Sequence, residues 1–211
     1  MQIRAVIFDF GGVVSFHPTQ DQIAVAAQAC GLTPQEFLRV FWANRVAYDR
    51  GEDPQVYWRG VASLAGRTFD DSLIAQLIEY EIEFWSNYDQ RVLAWADELR
   101  ARDVRAGILS NMPQPLGRRL RATKEFLKHF EHLTFSFELR CVKPDAAIYE
   151  HAVRGLGVPP EQALFLDDRQ ENVEGARSAG LHAELFVSWE SFLEDTPARY
   201  GLPAPTVARR Q

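Results

Sequence analysis

The chain has 211 residues, 46% of them hydrophobic and 25% charged, with a formal net charge of −6. That suits one sizeable domain, or a core carrying a smaller insertion. The acidic balance speaks against a nucleic-acid partner, and the want of any apolar run near the roughly 18 residues of a membrane span speaks against a membrane one. A small anionic ligand stays open, because local charge at a site outweighs the total. Cys30 and Cys141 are too few for a disulfide framework and lack metal-ligand spacing. Met1-Gln2-Ile3-Arg4 shows no signal-peptide pattern, so the expected location is cytoplasmic.

Residues 3–8 read as a buried strand, short, β-branched and running out toward the pair Gly11-Gly12. From about residue 19 to 87 the texture is helical, with Phe37, Val40 and Phe41 at helical spacing. Thr33-Pro34-Gln35-Glu36 is a capping signal, and Asp53-Pro54 and Asp70-Asp71 mark further helix starts. With turns at Arg50-Gly51-Glu52 and Ala65-Gly66-Arg67, roughly four helices and no strand are expected there. Beyond residue 87 helix and strand alternate. Helices are expected over 89–102, 116–130, from Lys143-Pro144-Asp145 to Gly155 or Gly157, and over 170–179. Strands are expected over 104–109, 133–136, 163–166 and 181–187. Such alternation predicts an α/β fold, a doubly wound, Rossmann-like parallel sheet covered on both faces, with an inserted α-helical segment. The tail from Pro197, with three prolines, is expected to be exposed or loosely docked.

Three of these strands end in functional groups: Asp9, Ser110 and Asp167. One such ending is ordinary, since any strand must stop at something polar. Three of them, with Lys143-Pro144 after another strand, make a constellation. Ligands of open parallel sheets gather at the carboxyl ends of the strands, and carboxylates there suit a divalent cation and a phosphorylated ligand.

Taken in order, Asp9-Phe10-Gly11-Gly12-Val13, Ser110-Asn111, Lys143-Pro144 and Asp167-Asp168 with Asn172 resemble the four motifs of the haloacid dehalogenase superfamily of phosphohydrolases. The resemblance runs from Ile3 to about Val187. Residues 17–87 are similar to the helical cap those enzymes insert between motifs one and two, which leaves 1–16 and 88–211 as the core. The resemblance implies an Mg²⁺-dependent phosphatase acting on a small phosphorylated metabolite. Asp9 would be the nucleophile, carrying the phosphoryl group as an aspartyl-phosphate. Asp9, the Gly11 carbonyl and Asp168 would hold Mg²⁺, with Asp167 orienting bound water behind them and Asn172 bonding the acidic cluster. Ser110, Asn111 and Lys143 would bind the phosphate. Apart from the resemblance, Asp167-Asp168 could cap the helix near Gln170, and Ser110-Asn111 could be a plain strand-to-loop turn.

One position departs from the pattern. Where these phosphatases usually carry a second Asp, a general acid and base two residues after the nucleophile, this chain has Gly11. The backbone ligand survives and the side-chain proton donor does not. A subgroup with Gly at this position includes sugar-1-phosphate phosphatases, whose leaving groups need less protonation, and His17 is the nearest alternative donor. Haloacid dehalogenases of the superfamily also lack that Asp and use no metal, so a metal-independent 2-haloacid dehalogenase is the rival reading. A catalytically weak phosphate-binding protein is the third. Trp42, Tyr48, Trp58 and Trp85 either line the substrate pocket or pack between helices, and their spacing favours packing for most of them.

Overall fold

The computed structural model describes residues 2–123 and 127–206. Ala5-Val6-Ile7-Phe8 carries no polar side chain and forms a strand whose residues are all buried, β1 (Ala5–Phe8). Side chains of this kind suit a pleated surface covered on both sides. The other strands are β2 (Arg105–Ser110), β3 (His132–Phe135), β4 (Ala163–Asp167) and β5 (His182–Leu185). Among the described residues they form a parallel sheet of order β3-β2-β1-β4-β5, with β1 at its centre. This is the expected Rossmann-like α/β fold.

Successive strand residues point to opposite faces. Val6, Phe8, Ile108 and Leu166 join Trp95 and Leu99 in one apolar cluster. Ala5, Ile7, Leu109 and Phe165 join Ile148, Tyr149 and Val173 in the other.

Between β1 and β2 lie α1 (Gln20–Ala29), α2 (Pro34–Ala43), α3 (Arg45–Asp49), α4 (Pro54–Leu64) and α5 (Asp71–Phe84). Four of them start on a side-chain cap. Thr19 with Gln22 and Thr33 with Glu36 make capping boxes, and Asp53 and Asp70 accept from Gln55 N and Leu73 N. Such caps contribute about 1 kcal/mol each. The insertion thus holds five helices among the described residues, not about four. Asn44 closes α2 and opens α3 at once, with neither Gly nor Pro to announce the break.

The remaining helices are α6 (Gln90–Arg100), α7 (Gln114–Ala122), α8 (Ser136–Leu139), α9 (Ala146–Leu156), α10 (Gln170–Ser178) and α11 (Trp189–Arg199). α7 begins earlier than expected, on Pro113, and residues 124–126 of the expected helix lie outside the described residues. Ser136 opens α8 instead of ending β3, and β5 stops at Leu185. The tail is docked to Thr206. Leu202 is buried, the Trp95 indole donates to the Pro203 carbonyl at 2.9 Å, and the Thr206 amide meets Glu98 at 3.0 Å. A buried indole N–H needs an acceptor, and the tail supplies it. Among the described residues no helix is long and apolar enough to cross a membrane.

Candidate active site

Strand register brings the acidic residues together. Phe8 is level with Leu166 across β1 and β4, so Asp9 and Asp167 leave neighbouring strands at one height. The Asp9 amide still donates to the Leu166 carbonyl at 2.8 Å. Phe8 is also level with Ile108, which carries Ser110 to the same edge. That edge is the carboxyl end of the sheet, where such folds bind ligands.

Lys143 enters from the segment between α8 and α9 and is buried. Its Nζ lies 2.8 Å from Asp9 Oδ1 and 2.6 Å from Asp167 Oδ2, and it donates to the Leu109 carbonyl at 3.3 Å. Asn111 holds the lysine backbone from both sides: its Nδ2 donates to Lys143 O at 3.1 Å and its Oδ1 accepts from Lys143 N at 2.8 Å. Asp167 also accepts from Asn172 Nδ2 at 3.0 and 3.1 Å and from the Arg169 amide at 2.8 Å. It is sealed beneath the site with its oxygens engaged. Asp168 is partly exposed, and His17 Nε2 stands 3.2 Å from its Oδ2.

Burial pushes the Asp9 carboxyl well above the usual carboxylate range; Lys143 pulls it back, while Asp167 and Asp168 push it further up. Burial acts to lower Lys143, but Asp167 and Asp9 outweigh it and the ammonium is held above its ordinary value. The hydrogen bond to Asp168 raises His17, against the opposing effect of burial.

Oxygens of Asp9, Asp167 and Asp168 all lie within 4.8 Å of one another. Two of the three carboxylates share one ammonium and Asp168 adds a further negative charge, all on hard oxygen donors, and a small divalent cation such as Mg²⁺ suits that set. With Asp167 committed to Lys143, Asn172 and Arg169, the oxygens that fit the ion belong to Asp9 and Asp168. Gly12 makes room for them. At φ +80° its missing Cβ would stand 2.5 Å from Asp168 Oδ2, so no other residue lets the carboxylate come so close.

Gly11 has its own explanation. A Cβ there would lie 2.9 Å from Cζ3 of Trp85, whose indole fills the space a second acid would need. His17 sits edge-on to the same indole, the ring centroids 6.1 Å apart.

Asp9, Gly11, Ser110, Asn111, Lys143, Asp168 and Asn172 line one cleft of about 700 Å³, with Asp167 completely buried behind it. Of the four aromatic residues singled out in the insertion, Trp42 and Trp85 line the cleft, whereas Tyr48 and Trp58 are buried.

Sequence reasoning missed the insertion's charged wall. Arg45 is buried between Asp49, at 2.9 Å, and Glu81. Arg50 bridges to Asp145, at the start of α9, at 3.0 Å. The i,i+4 spacing of Arg45 and Asp49 was a usable signal; nothing local announces the pairing of Arg50 with Asp145. Ser136 is a further link. The Met112 amide donates to its Oγ at 2.9 Å, and that hydroxyl donates to the Asp49 carbonyl at 2.6 Å.

A family model for haloacid dehalogenase-like hydrolases matches residues 3–180. The chain belongs to that family. This hydrolase is 30% identical over 195 residues to Phosphatase MT3486 of Mycobacterium tuberculosis (strain CDC 1551 / Oshkosh), with 88% of each chain covered. Among solved structures it is similar to a HAD family enzyme of Bacteroides thetaiotaomicron in complex with magnesium and inorganic phosphate. That likeness has a TM-score of 0.71 and 18% identity over 91% of this chain and 100% of the other. It is also similar to L-2-haloacid dehalogenase of Xanthobacter autotrophicus, with a TM-score of 0.67 and 20% identity over 93% of this chain and 83% of the other. At such identities the two structures speak for the fold, and the choice between their chemistries falls to the site of this hydrolase.

Proposed function

We propose that this hydrolase cleaves small phosphate monoesters through a phosphoryl group carried on Asp9, with Mg²⁺ held by Asp9, Asp168 and the Gly11 carbonyl. The observation that supports this reading best is the gathering of three carboxylates, two of them on the ammonium of Lys143. A bound Mg²⁺ supplies the missing positive charge and polarises the phosphoryl oxygens.

Lys143 and the Phe10 amide, at 2.8 and 2.6 Å, both engage Asp9 Oδ1 and fix the carboxylate, leaving one oxygen for the ion and one for attack on phosphorus. As the bond from Asp9 to phosphorus forms, the ester P–O bond breaks and its electron pair leaves on the organic oxygen. Water then attacks phosphorus, its proton passing through solvent to that organic oxyanion, and the bond to Asp9 breaks to free phosphate and the carboxylate. Ser110, the Asn111 amide and Lys143 hold the phosphoryl oxygens in place. Asp167 and Asn172 keep Lys143 and the water near the ion oriented. The insertion, residues 17–87, acts as a cap over the core of 1–16 and 88–211, admitting substrate and excluding bulk water.

No carboxyl stands at Gly11 to protonate the leaving oxygen. General acid–base catalysis contributes about 10²–10⁴ in rate, so esters with good leaving groups, aryl or anomeric phosphates, are favoured. The name of the Mycobacterium tuberculosis relative agrees with phosphatase chemistry.

Gly11 also favours the rival, a 2-haloacid dehalogenase, since a departing halide needs no proton. Against it stands the acidic cluster, which repels an anionic haloacid unless a cation lies between. The deciding experiment is a phosphate-ester panel with and without Mg²⁺, run beside halide release from 2-haloacids. Mg²⁺-dependent phosphate release is expected. Metal-independent halide release overturns the reading, and phosphate binding without turnover leaves the protein a binding module.

A further inference from the structure

The walls of the cleft have more to say about the organic half of the substrate. Away from the phosphate-binding end, the charged groups are spent on each other. Arg45 is held by Asp49 and Glu81, Arg50 by Asp145, and Arg169 by Glu171 at 2.5 Å. The apolar part of the lining includes Trp42, Val46, Trp85, Met112, Leu116 and Val142, of which Trp42 and Val46 are the exposed ones. They are 47% and 58% exposed, apolar area left in water although one face of Trp42 packs on Arg45.

A second cavity of about 770 Å³ shares Trp42, Arg45, Val46 and Arg50 with the cleft and adds Val56, itself 55% exposed. Asn44 and Glu52 also line this cavity, so the apolar part of the way out is the strip of Trp42, Val46 and Val56 at the corner between α2 and α3. Laid on that strip a polyol strips its hydroxyls of water without replacement. An aryl or alkyl group covers the exposed wall and gains by it.

We infer that the substrate's leaving group is an extended apolar moiety, an aryl group with or without an alkyl chain, seated on Trp42 and Val46, in place of a sugar. This rests on the phosphatase reading above and names its substrate class.

The test uses 4-methyl-, 4-butyl- and 4-hexylphenyl phosphate, whose leaving groups are matched in acidity and differ in apolar length. Each added methylene is expected to raise kcat/KM about two- to fourfold until the path is filled. Val46→Asp and Trp42→Ala flatten that gradient, with melting curves to check that each variant is folded, since Trp42 stacks on Arg45. Val25→Asp, at an exposed apolar position outside the cleft, retains it and so controls for detergent-like binding. A flat series in the native protein, or an undiminished gradient in Val46→Asp and Trp42→Ala, overturns the inference while leaving the phosphatase reading intact. If no ester is hydrolysed, it is the phosphatase reading that fails. Calorimetric titration with the matching alkylphenyl phosphonates then still decides the inference by whether affinity rises with chain length.

Discussion

Two buried clusters in this molecule have the same composition and opposite characters. In the core, Lys143 lies between Asp9 and Asp167. In the insertion, Arg45 lies between Asp49 and Glu81. Each sets one cation against two carboxylates, and burial raises Asp9 in the core and Asp49 and Glu81 in the insertion. The difference is in what surrounds them. The guanidinium of Arg45 is stacked by Phe41, Trp42 and Tyr48, 5.1 to 5.4 Å from their ring centres, so most of its free surface is closed off by carbon. The Lys143 cluster lies at the end of a parallel sheet, opens on the cleft, and has a third carboxylate, Asp168, within reach. A like charge count, in clusters that both border the cleft, is thus structural where aromatic rings and two acids satisfy the cation, and fit for chemistry where a third carboxylate leaves charge to spare.

The largest effect expected from breaking this contrast is on turnover. Asp9→Asn removes the proposed nucleophile, and aryl phosphate hydrolysis should fall by at least about 10³–10⁴. The melting temperature should hold or rise, because an amide relieves a buried charge; retained activity would rule out the covalent route. Arg45→Met makes the opposite split. It strands two buried acids, and unfolding in urea should show a loss of about 3–5 kcal/mol. A stability change below 1 kcal/mol would mean that the insertion cluster carries far less than its burial implies.

Gly11→Asp is a smaller change, because the new Cβ meets the Trp85 indole. It should cost about 1–3 kcal/mol by overpacking and fail by itself to speed cleavage of poor leaving groups. Combined with Trp85→Ala, the acid has room, and the ratio of alkyl to aryl phosphate rates should rise. A rise with Gly11→Asp alone would show that Trp85 is no obstacle.

The smallest effect is a slope. Glu81 binds its proton more tightly folded than unfolded, its value raised from 4.5 chiefly by burial. Ionising it therefore costs stability as pH climbs past about 4.5, and its contribution is fullest below that. Glu81→Gln should make thermal stability fall less steeply between pH 5 and 7, read from melting curves across that range.

Much of this was legible in the chain because parallel β-strands announce themselves. A run such as Ala5–Phe8, apolar on both faces and followed by a polar stop, leaves few alternatives, and Thr33, Asp53 and Asp70 declare helix starts by side-chain chemistry. The juxtaposition of Asp9 and Asp167 follows from register, which the order of strand endings suggested. Residues whose partners lie far along the chain stayed illegible. Asn44 breaks a helix without a breaker's side chain, and Arg50 finds Asp145 across 95 positions. Trp42 and Trp58 share the aromatic character of the insertion, yet only three-dimensional packing decides that the first faces the cleft and the second does not. The docked tail was missed for the same reason, since its anchor is the indole of Trp95, far back in α6.

Ser136 carries a consequence of its own. Its hydroxyl has a single hydrogen, given to the Asp49 carbonyl, while its oxygen receives the Met112 amide from the loop that follows Ser110 and Asn111. A shift of the insertion relative to the sheet must release that hydrogen, which can turn to the Met112 carbonyl 3.3 Å away while the Met112 amide stays on the oxygen. One oxygen thus joins the insertion's side of the cleft to the loop after Ser110. Deuterium uptake at Met112 and around Asp49 should accordingly slow together when inorganic phosphate is added, and Ser136→Ala should let the two run at separate rates.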